Sequence, residues 1–302
     1  MTKKLQVNKP STSRPLDAFA VMVMLGLTLS WGFNQVSVKL ALPEIPPLLQ
    51  ATLRSIGALG AMLIWARWRG VPMSLRDGTL RAGIAAGMLF GIEFALLFPA
   101  LQFTGASRAT LFINTAPFFV ALGSTIFLGE HLRAVQWAGL LLSFTGLVVA
   151  FGVPDAAGGR QFLGDAMIVV AGAAWAATTL VIKGSSLRTA APEKVFAYQI
   201  GGSIPVLALG VLLMGERMAA VPSAWALGWL AYNTFWVVTI TFMIWFVMIQ
   251  RYSPSRLSAF TFLTPLFGVA SGHFVLGEPV SATFGVAVAL VLGGLVLVNR
   301  PG

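Results

Sequence analysis

The chain has no cysteine. Disulfides are excluded, and with them cysteine-held metals and cysteine nucleophiles. Its two histidines, His131 and His273, fall in different halves of the sequence, which argues against a two-histidine metal site. Neither G-x-x-x-x-G-K-[ST] nor H-E-x-x-H occurs, so the chain carries no loop for ATP phosphates and no zinc-protease helix. The few carboxylates are too scattered to form an acid/base pair, and no enzyme activity, cofactor or metal is expected. Charge is scarce altogether: Asp, Glu, Lys and Arg make up 10% of the residues, where a soluble domain has about 25%.

What is abundant is apolar. Hydrophobic residues are 57% of the 302, and the mean hydropathy is +0.84. A chain of this length cannot hide so much apolar surface from water, so its solvent is a lipid bilayer. About 20 helical residues cross roughly 30 Å of hydrocarbon at 1.5 Å each. That measure gives ten spans, near 17–42, 46–66, 79–102, 106–127, 133–152, 162–183, 192–214, 224–250, 255–276 and 281–299. The first apolar run is too long for a signal-peptide core and lacks a clear cleavage site, so it is expected to remain as a helix. Residues 1–15 read as a disordered polar tail, and 153–161, with Pro154, Gly158 and Gly159, as an external linker between two halves, 16–152 and 162–300.

The net charge of +10 raises the question of nucleic acid. Its distribution answers it. With the N-terminus inside, fifteen of the twenty Lys and Arg residues fall on inner segments. Four fall outside (Lys39, Arg108, Arg160 and Arg217), and Arg54 lies within a span. The charge is a topology signal of the positive-inside kind and needs no nucleic-acid partner. Both termini are expected in the cytoplasm, and the expected partners are the bilayer and a small-molecule substrate, with the chain a monomer or a homodimer.

The sequence repeats itself. Ser107-Arg108, Pro117 and Gly129-Glu130 recur as Ser255-Arg256, Pro265 and Gly277-Glu278, each displaced by 148 residues, and Gly146 and Gly294 keep that offset. Trp31 and Lys39 recur as Trp175 and Lys183, displaced by 144. Landmarks in constant order and spacing mark an internal duplication. Each copy has five spans, an odd number, so the second enters the membrane from the opposite side. The fold expected is all-α and integral to the membrane, ten transmembrane helices as two inverted five-helix repeats. Such repeats hold a substrate site between them and move by rocking one against the other.

Trp31-Gly32-Phe33-Asn34, Lys39, Pro46-Pro47 and Arg54 resemble the opening of an EamA-type repeat of the drug/metabolite transporter superfamily. Ala106 to Glu130, with Pro117 and Gly129-Glu130, resembles that repeat's fourth helix. Gly164-Asp165, Trp175 and Lys183 resemble the start of the second repeat, and Pro265 with Gly277-Glu278 its end. The resemblance implies ten helices, no ATPase and movement of small organic solutes. Within the superfamily the chain is most similar to exporters of aromatic and neutral amino acids in bacterial inner membranes. The second repeat departs from the pattern, with Ile200 close to where an arginine like Arg54 would fall.

Depth selects the candidate site residues. Asn34, Arg54, Glu93 and Asn114 each lie eight or nine residues from the outer end of their span, roughly 12 Å deep. Asn233 falls at a similar level. A charge facing lipid would cost about 2.5–3.5 kcal/mol, so these groups are expected in a shared cavity or a buried network. Arg54 and Glu93 read either as an ion pair locking two helices or as direct substrate contacts, and the two are expected within one or two side-chain lengths of each other. Asn114 reads as an interhelical hydrogen bond. Trp31 and Trp175, near mid-membrane, read as aromatic walls contributed by both repeats. Phe90, Phe94, Tyr198 and Trp236 are further candidates. Pro117 and Pro265 sit about eleven residues into their spans and read as paired hinges or cavity-lining kinks. Gly83, Gly87 and Gly91 form a packing stripe, and Lys39 and Lys183 are expected to snorkel to headgroups. Besides an amino-acid exporter, an exporter of drugs, nucleotide-sugars or other metabolites fits this inventory, and less well a membrane enzyme or lipid-handling protein.

Overall fold

Proline opens helices in this chain and glycine closes them. Pro47 and Pro192 each stand in a first turn, where a missing N–H costs least. Gly129, Gly215 and Gly277 end helices at φ of 67°, 64° and 69°, a conformation that favours residues without a Cβ. The computed structural model describes residues 16–100, 103–104, 106–151, 158–277, 280 and 282–300, with the side chains of Gln35, Lys39, residues 106–108 and Leu276 left out. The expected N-terminal tail, most of the linker, Glu278 and the side chains of Lys39, Ser107 and Arg108 lie outside what it describes.

The first repeat is α1 (Ala18–Ala41), α2 (Pro47–Trp68), α3 (Leu80–Ala100), a fourth span made of α4 (Ala106–Ile113) and α5 (Ala116–Leu128), and α6 (Ala134–Phe151). The second is α7 (Gly159–Gly184), α8 (Pro192–Met214), and a span built of α9 (Ala224–Ala231), a π-helical stretch Tyr232–Thr241 and α10 (Phe242–Arg251). It closes with α11 (Pro254–Ala259), a 3₁₀ turn Phe260–Phe262, α12 (Leu263–Leu276) and α13 (Phe284–Asn299). Among the described residues there is no strand, and nine helices are long and apolar enough to cross a membrane. The tenth, α13, is a shorter apolar helix of 16 residues. One boundary differs from expectation. Residues 159–161, read as linker, are the first residues of α7.

Close helix crossings are made by glycine. A Cβ on Gly83 would lie 2.3 Å from the Tyr198 ring, and one on Gly87 would lie 2.5 Å from the Tyr198 carbonyl, so the glycine stripe of α3 seats α8. The α6–α13 crossing records the duplication directly. Gly139 abuts the carbonyl of Gly294, and Gly146 abuts that of Ala287. Because 139 + 148 = 287 and 146 + 148 = 294, swapping the copies turns one contact into the other. Ser143 donates to the carbonyl of its own counterpart, Val291, at 3.3 Å. The pseudo-two-fold axis passes through that pair.

Contacts between repeats close each end of the bundle. On the face where α1 begins, the α2–α3 hairpin holds the second repeat. Lys194 pairs with Asp77 and reaches the Ser74 carbonyl, while Ser186 Oγ donates to the Gly78 carbonyl at 3.1 Å. The Lys194 and Thr79 hydrogen bonds hold the Asp77 carboxyl down at about 2, so the clasp keeps its charge across physiological pH. On the opposite face the mirror-related hairpin holds the first repeat. Glu216 accepts from the Leu48 and Leu49 amides at 3.2 and 2.8 Å, at a helix N-terminus. Glu44 takes both the Ser223 amide and hydroxyl, and the amide in particular keeps its carboxyl below the usual range.

Lys183 corrects the sequence reading. It does not reach for headgroups. It is buried, and its ammonium donates to the carbonyls of Ile249 (2.9 Å), Tyr252 (3.0 Å) and Gln250 (3.3 Å). The last carbonyls of α10 lack helical partners, and a cation at a helix C-terminus satisfies them.

Candidate functional site

Four polar side chains from three spans join in one chain of hydrogen bonds. Arg54 of α2 donates through Nη1 to Asn233 Oδ1 at 3.2 Å. Asn233, in the π-helical stretch, donates through Nδ2 to Asn34 Oδ1 of α1. Ser37 Oγ lies 2.8 Å from the Asn34 carbonyl and 3.0 Å from its Oδ1. The depth argument brought Asn34, Arg54 and Asn233 together, and they do meet. Asn114 does not join them. It donates to the Thr110 carbonyl in its own span, and no interhelical bond is seen for it among the described residues.

Arg54 and Glu93 are both buried, 6% and 8% exposed, yet form no salt bridge within 4 Å. The guanidinium instead lies over the Phe94 ring, 4.7 Å from its centroid. Glu93 Oε2 is buried without a hydrogen-bond partner among the described residues. A buried polar atom left unmatched is costly and calls for an occupant that completes it.

From Phe94 an unbroken line of rings leads toward the α1 face. Phe94 packs on Phe90 at 5.0 Å, Phe90 on Phe242 at 5.6 Å, and Phe242 on Trp31 at 6.3 Å. Trp31 meets Trp245 edge-on at 5.7 Å, and Trp245 stacks on Trp175 at 6.1 Å with the planes 16° apart. The Trp31 indole is fixed by its Nε1 donating to Thr241 Oγ1 at 2.8 Å. The symmetric tryptophans therefore do not face each other. Trp245, which the sequence reading missed, stands between them. Its signal was the helical spacing of Phe242, Trp245, Phe246 and Ile249 along one apolar face.

Two further candidates stand elsewhere. Tyr198 touches Thr79 Oγ1 at 3.1 Å and packs on Gly83. Thr79 precedes Glu93 by fourteen residues of α3, about 20 Å at 1.5 Å per residue. Trp236 is 45% exposed and bonds Ser30 at 3.3 Å on the outer surface of the bundle. Both fourth spans are broken at their prolines. The helix lapses between Ile113 and Ala116 before Pro117, and a 3₁₀ turn precedes Pro265. Proline cannot bond the carbonyl four residues back. For Pro117 that carbonyl, Ile113 O, faces Gly172 of α7, where a Cβ would lie at 3.2 Å. Helix starts also revise the mirror of Arg54. Pro47 and Pro192 open α2 and α8, and 54 + 145 = 199, so the counterpart is Gln199 rather than Ile200. Gln199 is buried, with Oε1 unpartnered among the described residues.

The profile of the EamA-like transporter family matches residues 18–152 and again 162–300. The chain belongs to that family. An uncharacterized transporter of Synechocystis is 28% identical over 299 residues, covering 89% of this chain and 86% of its own. Proteins described as probable amino-acid metabolite efflux pumps are each 27% identical: that of Salmonella typhimurium covers 92% of this chain and 93% of its own, and that of Escherichia coli K12 88% and 89%. A crystal structure with a TM-score of 0.78 and 20% identity spans 93% of this chain and 97% of that one, and so shares the fold. This EamA-family protein is a multi-pass membrane transporter of two five-helix repeats.

Proposed function

We propose that the protein exports neutral amino acids with large apolar side chains, aromatic ones above all, by alternating access between its repeats. The observation that carries this is two buried ionisable side chains on neighbouring helices, Arg54 with no carboxylate within salt-bridge distance and Glu93 with its Oε2 unpartnered among the described residues. A zwitterion offers the carboxylate that Arg54 can bind and the ammonium that Glu93 Oε2 lacks. Asn233, itself held by Asn34, bonds the guanidinium, Phe94 lies under it with Phe90 behind, and the indoles of Trp31, Trp245 and Trp175 supply a flat apolar surface. One arginine is too little positive charge for a nucleotide-sugar, and it repels a cationic drug. Relatives described as probable amino-acid metabolite efflux pumps support the same class. The chain acts without catalysis in this reading, and the breaks before Pro117 and Pro265 are where the repeats flex.

Cells loaded with a phenylalanine-containing dipeptide provide the test. Cells making the protein should hold several-fold less intracellular phenylalanine than cells without it. Trp31→Ala, Trp175→Ala and Trp245→Ala should each weaken efflux of phenylalanine more than that of alanine. Unchanged amino-acid efflux, with another solute class moving readily, would leave a transporter of different cargo.

The charge count supports an inner-membrane orientation with both termini cytoplasmic. A reporter fused after Gly302 should be active only as a cytoplasmic reporter, and one fused after Gly152 only as an external one. The reverse pattern rejects the orientation.

A further inference from the structure

The α2–α3 hairpin carries four exposed arginines, Arg67, Arg69, Arg76 and Arg81. Among the described residues none is paired with a carboxylate, and the hairpin's own acid, Asp77, is taken by Lys194. Beside them stand two indoles, Trp65 at 45% and Trp68 at 76% exposed, with ring centroids 5.2 Å apart. The Arg69 guanidinium lies over the Trp65 ring at 5.8 Å. Just before them in α2, Leu63 and Ile64 are exposed apolar side chains, Ile64 at 74%. Along the last turns of one helix, the surface therefore passes from aliphatic to indole to guanidinium. That order matches acyl chain, interface and phosphate in one leaflet.

We propose that this hairpin is a docking site for an anionic phospholipid. The sign follows from the charges. Four unpaired guanidinium groups attract a phosphate, while the cationic group of a zwitterionic headgroup would meet them unfavourably. Clusters of four or more basic residues just beyond a membrane helix bind anionic lipid in this way. The mirror-related α8–α9 hairpin has no such cluster. Between Met214 and Ser223 it holds Arg217 and Glu216, and Glu216 is engaged by the α2 N-terminus. The site is thus an addition to one face, outside the symmetric frame. Its position gives it leverage, because the same hairpin supplies Ser74, Asp77 and Gly78 to the clasp on the second repeat. A lipid phosphate that orders the hairpin favours the closed clasp.

Native mass spectrometry of the purified full chain tests the proposal, with phosphatidylglycerol or phosphatidylcholine added at equal concentration. The parent protein should retain phosphatidylglycerol at a concentration roughly several-hundredfold below that needed for phosphatidylcholine. Each arginine changed to glutamine should cost about fivefold of that preference. The fourfold variant R67Q/R69Q/R76Q/R81Q should bind the two lipids alike. The fourfold lysine variant keeps the charge and should keep the preference, which separates binding from misfolding. Thermal melts add a second readout: phosphatidylglycerol should raise the parent's melting temperature and leave that of the glutamine variant unmoved. No lipid preference in the parent, its persistence in the glutamine variant, or equal stabilisation by inorganic phosphate alone overturns the proposal.

Discussion

Changing Glu93 to Gln is expected to cut amino-acid efflux by tenfold or more while the protein still folds and inserts. The glutamine keeps the shape of the side chain and removes its charge. A hydrogen bond to a charged group is worth about 1.5–3 kcal/mol, or roughly a tenfold to hundredfold change in binding. Since Glu93 Oε2 has no partner among the described residues, the substitution breaks no bond seen there. Arg54→Gln should behave differently. It removes the bond to Asn233 and the cation over Phe94. It therefore breaks contacts that Glu93→Gln leaves intact. Its melting temperature and yield should fall further than those of Glu93→Gln. Combining the two should restore part of the stability without restoring transport. Efflux and thermal melts on the four proteins check this, and strictly additive losses in the double variant would show that the two groups do not share a site.

Gly294→Val should be the most damaging of the packing changes. A Cβ there would sit 2.2 Å from Ser143 Oγ and 2.4 Å from the Gly139 carbonyl, and backbone cannot step aside as a side chain can. Overpacking costs about 1–3 kcal/mol, and more where backbone must move. Gly146→Val, at the mirror position, should act in the same direction, with the Ala287 carbonyl 2.9 Å from its Cβ. Gly285→Ala on the same helix meets nothing within 4 Å and serves as the control. Size-exclusion profiles and melting temperatures in detergent should show both valine variants aggregating or melting well below the parent. Parent-like behaviour in Gly294→Val would mean that the crossing is looser than the structure has it.

Much of the fold was legible because hydrocarbon leaves few choices. Ten apolar runs of spanning length, an odd number per copy and the offset landmarks were sufficient to give two inverted repeats. The interruptions inside spans were less legible. Pro117 and Pro265 announced theirs, but nothing in Tyr232–Thr241 marks a π-helical stretch, which is set by packing against α1 and α2. At the candidate site, depth alone gathered Asn34, Arg54 and Asn233, since side chains buried at one level in a bundle must find each other. Depth carries no azimuth, and two further candidates stand away from the cluster: Trp236 is 45% exposed on the outer surface, and Tyr198 packs on Gly83 and Thr79 at the other end of α3. Trp245 was missed for a related reason. Repeat symmetry pointed to Trp31 and Trp175, and the ring between them belongs to one copy only. Lys183 was misread because a lysine near a helix end has two ways to satisfy its charge, lipid phosphate or a neighbouring helix's last carbonyls, and the sequence does not say which is nearer.

The α6–α13 crossing has the form of a homodimer interface, a self-complementary patch in which Ser143 meets its own counterpart. A single five-helix chain inserted in both orientations would have needed that patch to find its twin. Fusion into one polypeptide made the pairing permanent and released each copy from having to be its own mirror image. Under that freedom the copies could drift apart: Arg54 stands against Gln199, and Asn233, by the 144-residue offset of Thr79 and Ser223, against Leu89. The charged cluster lies to one side of the axis because the two copies no longer share a sequence.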